Sequence, residues 1–386
     1  MVSAVLTPTR ARSSERIVRN ASLPDLVGRL EGQQRRKVDV VAPASAIRSQ
    51  GGMLVVDQAE RLLTAEGVAS VAGTYEPTGV CEGGIADKLG VPLAYLRRMR
   101  TEAPHLYDAN VNEWLARDGR KFLVRALSAE DGGAGQARAF LSNSYKVIDN
   151  MDVLTAVLDG VRQAGVAVDI SSCDLSDQRM FVRLKAPEIR GHAPYLLRNY
   201  RSPYSGLSGA DNPTVFAGML ISNSETGCGS LSLTPQLTIE VCDNGMTMTK
   251  DVVRSVHLGA KLDEGRVQWS DDTQRKTLAV YTAQARDTVR RFLDRGYVEA
   301  EIREIEKSSG APVADVEETI KSVSKTLKFT EEQRKGVFDH FIRGGDLTAG
   351  GVLHAVTSYA QTVQDPDDAH ELGAQGIRAM ELAATA

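Results

Sequence analysis

No apolar run in the 386 residues approaches the roughly 20 positions that a membrane-spanning helix needs. The opening MVSAVLTPTRARSSER carries too short an apolar stretch, on the wrong side of its arginines, for a secretory signal. A cytoplasmic protein without membrane contact is therefore expected. Cysteine is scarce: Cys81, Cys173, Cys228 and Cys242 are widely spaced and form no CxxC pair, which argues against a disulfide framework and leaves them as small buried hydrophobes. The six histidines, His105, His192, His257, His340, His354 and His370, show no HxxxH or HExxH spacing. Also missing are GxGxxG after a strand, GxxxxGK[ST] and GxSxG, so the commonest dinucleotide, phosphate-loop and serine-hydrolase readings fall away. No catalytic residue, metal ligand set or cofactor is assigned. The carboxylates Asp149, Asp152, Glu225, Glu240 and Asp243 leave a divalent cation open, because hard oxygen donors suit one. The formal net charge of −4 lacks the excess of lysine and arginine seen in uniformly basic proteins, so nucleic-acid contact would need a local basic patch.

What is present is an ordinary globular composition, 42% hydrophobic and 25% charged. Its clearest organising stretch is residues 215–248. A short apolar run at 216–221 and a loosely alternating run at 231–241 flank the break Asn223-Ser224-Glu225-Thr226-Gly227, and Asp243-Asn244-Gly245 reads as a turn. A central hairpin is expected, with Asn223, Glu225 and Asn244 as a structural polar cluster. Glu225 should tie strands together by accepting hydrogen bonds, since a buried carboxylate requires partners.

The rest of the chain divides by pattern. Residues 1–50 are arginine-rich and read as a basic, partly disordered arm with a short helix at 23–34. Residues 51–120 read as helical, and within them Ala86, Gly90 and Leu96 stand at helix-turn-helix spacing. Residues 121–271 form an α+β core: strands at 121–127 and 137–141, a helix at 151–164 closed by Gly165, then strands at 166–171 and 179–184 ahead of the hairpin. Residues 272–364 are helical, with Thr330 and Gln333 forming a capping box, and 365–386 read as a loosely attached acidic tail. The fold class expected is α+β, a central mostly antiparallel sheet with packed helices, flanked by N- and C-terminal helical regions.

Between the strands lies a segment that interleaves Arg190, Arg198 and Arg201 with Tyr195, Tyr200 and Tyr204 and has no acid from 189 to 210. Cations for phosphates and flat rings for base faces are what a single strand of nucleic acid needs. Arg97 and Arg98, at the end of the helix-turn-helix-like stretch, are a second candidate for phosphate contact.

Three groups of motifs carry a resemblance: LSNSYKVIDNMDVL at 141–154, GMLISNSETGC at 218–228 and VCDNGM at 241–246, continued by HLG at 257–259, GGDLT at 344–348 and VTSYAQT at 356–362. The chain from about residue 70 onward resembles the phage/plasmid-like family of unknown function DUF932. The resemblance implies a bacteriophage or mobile-element setting, hence the host cytoplasm if phage-encoded, and no activity at particular residues. Two function classes follow. The first is a nucleic-acid-binding protein, favouring single-stranded DNA, that anneals strands in recombination as a ring-forming homo-oligomer. The order strand, strand, helix, strands is compatible by analogy with a Rad52-like annealing core. The second is a metal-dependent enzyme on nucleic acid or nucleotides, or an inhibitor of host defence, built round Asn223, Glu225 and Asn244. A duplex-binding regulator acting through residues 84–100 is a further expectation.

Overall fold

The computed structural model describes residues 17–57, 62–64, 67–69, 73–130, 132–241, 245–247, 252–255, 265–266 and 271–386. Asn244 and its turn partner Asp243 lie outside them, as do Cys242, His257 and residues 1–16 of the basic arm. The chain opens with strand β1 (Val18–Ala21), helix α1 (Leu23–Arg36) and strands β2 (Lys37–Pro43), β3 (Ile47–Gln50), β4 (Met53–Val56), β5 (Leu62–Thr64), β6 (Gly67–Ala69) and β7 (Gly73–Pro77). Helices α2 (Gly79–Leu89), α3 (Leu93–Glu102) and α4 (Pro104–Ala116) follow, then β8 (Lys121–Leu127), β9 (Gly135–Ser142), helix α5 (Asn150–Ala164), β10 (Asp169–Leu175) and β11 (Met180–His192). A short α6 (Pro194–Leu197) precedes β12 (Thr214–Asn223), β13 (Leu231–Ile239), β14 (Gly245–Thr247), β15 (Val253–Ser255) and β16 (Gly265–Arg266). Seven helices end the chain: α7 (Asp271–Phe292), α8 (Arg295–Ser309), α9 (Val316–Leu327), α10 (Glu331–Gly344), α11 (Ala349–Ala360), α12 (Pro366–Gly373) and α13 (Gly376–Ala383).

The class is α+β, as expected, but the strands build two large sheets rather than one central one. The hairpin sheet runs β1-β10-β11-β12-β13-β14, with β15 also on β13, and all its pairs are antiparallel. The hairpin expected at its centre is there: Val215 stands opposite Ile239 and Ser222 opposite Ser232. The N-terminal sheet runs β16-β2-β8-β9-β7-β4-β3, with β7 and β9 parallel. Helix α5 connects them, so the order strand, strand, helix, strands starts in one sheet and finishes in the other.

Each sheet has its own core. Alternation puts Val182, Leu184, Ala217, Met219, Ile221, Leu233 and Leu237 on one face of the hairpin sheet, where they pack against Val153, Leu154, Val157 and Val161 of α5 and against Ala285 and Val289 of α7. On the N-terminal sheet, Val40, Phe122, Val124 and Phe140 pack against Ile85, Leu96, Tyr107 and Val111 of α2–α4. Gly160 is what lets α5 and α7 meet closely, because a Cβ there would lie 2.3 Å from the Thr282 carbonyl oxygen.

Several boundaries differ from the sequence reading. From residue 17 the basic arm is structured: β1 pairs with β10, Leu26 and Leu30 of α1 are buried, and β2 lies inside the N-terminal sheet between β16 and β8. Counting arginines hid the alternation in Val38-Asp39-Val40-Val41. The 51–120 region begins with strands, not helices. The 272–308 tract breaks at Asp294, whose carboxylate accepts the Tyr297 amide at 3.0 Å and starts α8. The acidic tail is packed: Ala369, Leu372, Ala379 and Met380 are buried against the Gly- and Ala-rich α11, where small side chains let helices approach. Other local signals are realised: Thr330 and Gln333 form the capping box, and Gly90 and Gly165 close α2 and α5 in the left-handed region. Among the described residues no helix is long and apolar enough to cross a membrane.

Candidate functional site

Two of the three polar-cluster residues sit in a buried ionic seam between the sheets. Asp39 on β2 and Arg125 on β8 are register partners, so their side chains share one face. Arg125, 1% exposed, donates from Nε and Nη2 to the Asp39 carboxylate at 2.9 and 3.0 Å, from Nη2 to Asp149 at 2.6 Å and from Nη1 to the Glu225 carbonyl at 2.6 Å. Lys37 takes the other Asp149 oxygen, and Arg138 Nη1 lies 2.5 Å from Glu225 Oε1. Glu225 Oε2 accepts the Asn150 amide at 2.9 Å, and Asn223 donates to Asn150 Oδ1 at 2.8 Å. Asp149 occupies the N-cap of α5 yet makes no capping bond, because both its oxygens face cations; Glu225 supplies an acceptor for that helix start instead.

Three carboxylates, Asp39, Asp149 and Glu225, thus meet three cations, Lys37, Arg125 and Arg138. Burial by itself would lower the Arg125 pKa, but Asp39, Asp149 and Glu225 outweigh it and hold the pKa above its ordinary value. Burial likewise raises the Asp149 carboxyl, and Arg125 and Lys37 overcome that and bring it down to about 2. The seam is charge-balanced, which leaves no surplus negative charge to attract a divalent cation to Asp149 and Glu225. Glu240 is exposed, and among the described residues no group of three or more His, Cys, Asp or Glu converges on a metal position.

The low Asp149 pKa has a consequence in acid. An unfolded aspartate titrates near 3.9, so the depressed folded value contributes stability that is complete above about pH 4 and lost as pH falls towards 2, of the order of 2 kcal/mol. Unfolding free energies from urea titrations should fall by about that much more between pH 5 and pH 2.5 in the wild type than in Asp149→Asn; parallel acid limbs would refute the assignment.

The arginine and tyrosine segment is a built surface loop. Buried Leu196, Leu197, Tyr200 and Ser202 anchor it, while Tyr195, Arg198, Arg201 and Tyr204 point outward, with Arg190 exposed near the end of β11. The Arg201 amide donates to the Gly344 carbonyl at 3.0 Å, the Tyr195 amide to Glu306 at 2.8 Å and the Tyr204 hydroxyl to the Ser358 carbonyl at 2.5 Å. Tyr195 is 64% and Tyr204 49% exposed. Tyr200 must be corrected. At 2% exposure its ring stacks on His354, with centroids 4.1 Å apart, and cannot offer a face to a base. His354 Nε2 carries the proton, because its partner at 3.1 Å is the Leu196 carbonyl, which only accepts. Burial pulls the His354 pKa down and keeps the ring neutral against Tyr200.

Tyr204 also stands at the rim of a polar groove of about 510 Å³ on the far face of the hairpin sheet, floored by Lys185, Arg183, Gln236 and Thr238. Arg19 and Arg183 share the Asp174 carboxylate there at 2.6 and 2.5 Å.

The helical hairpin at 84–100 forms as the spacing predicts, with Ala86 and Leu96 buried and Gly90 at the turn. Its arginines are engaged locally. Arg97 donates to the Gly79 carbonyl at 3.3 Å, Arg98 pairs with Glu102 at 2.8 Å, and Arg100 joins Glu82 at 3.0 Å and the Gly52 carbonyl at 3.1 Å. Helix α3 packs on α2 and α4, whereas the 190–204 segment packs on α8, α10 and α11, so the two arginine groups belong to different layers.

No family model, curated protein or solved structure matches this chain. That Glu225 would accept from backbone and Arg/Lys donors was expected, and the Asn150 amide and Arg138 are of those kinds; the other charged members of the seam were not anticipated from the sequence. Their signal was present, as single charged residues inside apolar strands: Asp39 in VDVVA, Arg125 in FLVRAL and Arg138 in ARAFL.

Proposed function

We propose that the protein binds single-stranded nucleic acid through the exposed face of residues 190–204, with the polar groove beside Tyr204 continuing that surface. The observation that supports this is the sorting of one short segment. Tyr195 and Tyr204 stand out among exposed Arg190, Arg198 and Arg201, while the intervening Leu196, Leu197 and Tyr200 fix the backbone from below. Exposed rings held at low conformational cost next to guanidinium groups suit stacking and phosphate contact together. Lys185 and Arg183 in the groove extend the cationic track. Kinship to DUF932, a mobile-element setting in the host cytoplasm, strand annealing and assembly into a homo-oligomer belong to the same proposal.

Fluorescence anisotropy at low salt with labelled single-stranded and duplex DNA tests it. Single strands should bind more tightly, and Tyr195→Ala and Tyr204→Ala should each weaken binding about tenfold, or about 1.4 kcal/mol. Tyr204→Phe, which loses the Ser358 bond and keeps the ring, should bind as the wild type does. Arg198→Ala and Arg201→Ala should each flatten the dependence of log affinity on log salt by about 0.7. Absence of single-strand binding at low salt overturns the proposal.

A further inference from the structure

The polar groove beside Tyr204 takes its floor from the far face of the hairpin sheet and its walls from α11 and α12. Small residues of the helices, Ala360, Ala369, Gly373 and Ala374, leave about 510 Å³, a volume that suits a small molecule. Among the described lining residues Asp169 alone is acidic, and it stands opposite Lys185 in the pairing of β10 with β11. Arg19 and Arg183 share the single carboxylate of Asp174, so two cations meet one acid.

Two polar side chains of the groove are held in place and still have donors to spare. Arg183 gives Nη1 to Asp174 at 2.5 Å and to the Ser172 hydroxyl at 3.2 Å, which fixes the guanidinium. Its Nε and Nη2 donate to no described residue, and the side chain keeps 20% of its surface. The His370 ring lies on buried Phe181, with centroids 4.6 Å apart. Neither ring nitrogen bonds a described residue, and neither is sealed from the groove that the ring lines. Burial, and after it Arg183 and Arg179, hold the His370 pKa down at about 3 against the opposing pull of Asp174. At neutral pH the ring is therefore uncharged and has one N–H to donate.

We infer that the groove binds the phosphate monoester of a nucleotide, whose terminal oxygens accept from Arg183 Nε and Nη2 and from the His370 ring N–H. One set of donors rises from the strand floor and the other stands in the helical wall, an arrangement that suits a tetrahedral anion better than a flat carboxylate. A monoester presents three unbridged oxygens to them, where an internal phosphodiester presents two. The inference deepens the reading of this groove as part of a nucleic-acid surface and rests on it for the nucleoside, since exposed Tyr204 at the rim supplies a ring for the base. A free nucleoside monophosphate and the phosphorylated end of a strand carry this same chemistry.

Arg19 has other work. Its Nε and Nη2 donate to the Val363 and Ala360 carbonyls at 3.3 and 3.4 Å, so it lends the groove charge while Arg183 and His370 make the bonds. That division decides which substitutions matter. Arg183→Lys keeps a cation on Asp174 and loses the free fork of donors, and His370→Phe keeps a ring on Phe181 and loses the N–H.

The test is calorimetric titration of the full chain at pH 7 and low salt with adenosine 5′-monophosphate, with adenosine and with the cyclic 3′,5′-diester, beside anisotropy of one labelled single strand with and without a 5′-phosphate. The monophosphate should bind about tenfold or more tighter than adenosine or the diester, and Arg183→Lys and His370→Phe should each weaken it about tenfold. Loss of that binding in His370→Phe with an undiminished thermal midpoint separates a lost site from a lost fold. A gain in strand affinity on phosphorylation identifies the strand end as the source, and monophosphate binding without that gain identifies the free nucleotide. No heat from the monophosphate at millimolar concentration together with no gain from strand phosphorylation overturns the inference, as does equal binding of adenosine or unchanged binding in either variant. Strand binding that survives such a result leaves the nucleic-acid surface standing, whereas monophosphate binding without any strand binding removes that surface and keeps the site.

Discussion

Replacing Arg125 by methionine is expected to remove about 3–5 kcal/mol of stability, the range seen when one partner of a buried ion pair is deleted. The side chain that goes is 1% exposed and serves three acceptors, Asp39, Asp149 and the Glu225 carbonyl. Methionine fills most of the space, so the loss is electrostatic rather than volumetric. Lys37 and Arg138 remain against three carboxylates, and both Asp39 oxygens lose their donors. Urea midpoints at pH 7 should fall without a change in slope. The decisive comparison is the double variant Arg125→Met, Asp39→Asn, in which Lys37 and Arg138 are balanced by Asp149 and Glu225 and the uncompensated charge is gone. It should recover a large part of the loss, because a buried pair replaced as a unit is often neutral while a broken one is not. A double variant no better than the single one would show that Arg125 acts through shape instead.

The Gly160→Ala variant should be destabilised by about 3 kcal/mol, against the ordinary trend for a helix. In an exposed helix interior, alanine is better than glycine by up to about 1 kcal/mol. Here the added Cβ would meet the Thr282 carbonyl oxygen at 2.3 Å, the Ala285 methyl at 2.7 Å and the Arg286 amide at 3.0 Å. Two of these are backbone atoms of α7, so relief requires moving a helix rather than a rotamer. Gly28 of α1 is the matched control. A Cβ there meets nothing within 4 Å, and Gly28→Ala should stabilise by about 0.5–1 kcal/mol. Urea unfolding of the two variants should therefore move in opposite directions; stabilisation by both would mean that α5 and α7 are not in backbone contact.

How much was legible from the sequence depended on the range over which each signal acts. The hairpin of β12 and β13, the capping box at Thr330 and Gln333, and the glycine closures at Gly90 and Gly165 were readable, because each is decided by residues within a turn or a strand length. The division into two sheets was not. β2 and β8 are 80 residues apart and β1 pairs across to β10, and pairing over such separations leaves no local periodicity. The tail was misread because burial of Ala369 and Ala379 against α11 depends on small residues meeting small residues, while a hydropathy reading looks for large ones. In the candidate interface the composition of residues 190–204 was visible, but the inward rotation of Tyr200 towards His354, on a helix more than 150 residues later, was not. His370 drew no notice beyond its lack of ligand spacing, because its place in the groove with Arg183 depends on α12 folding against a strand far earlier in the chain.

The ionic seam also shapes what substitutions the chain can absorb. Two apolar cores each tolerate swaps of similar volume one position at a time, since methyl groups are interchangeable in kind. The seam between them is quantised: with three charges balancing three, any single change alters the sum by at least a whole unit or leaves a donor idle. Accepted changes at positions 37, 39, 125, 138, 149 and 225 must therefore come in compensating sets. A drifting sequence would keep these few letters nearly frozen, or exchange them together, while the strands around them vary freely.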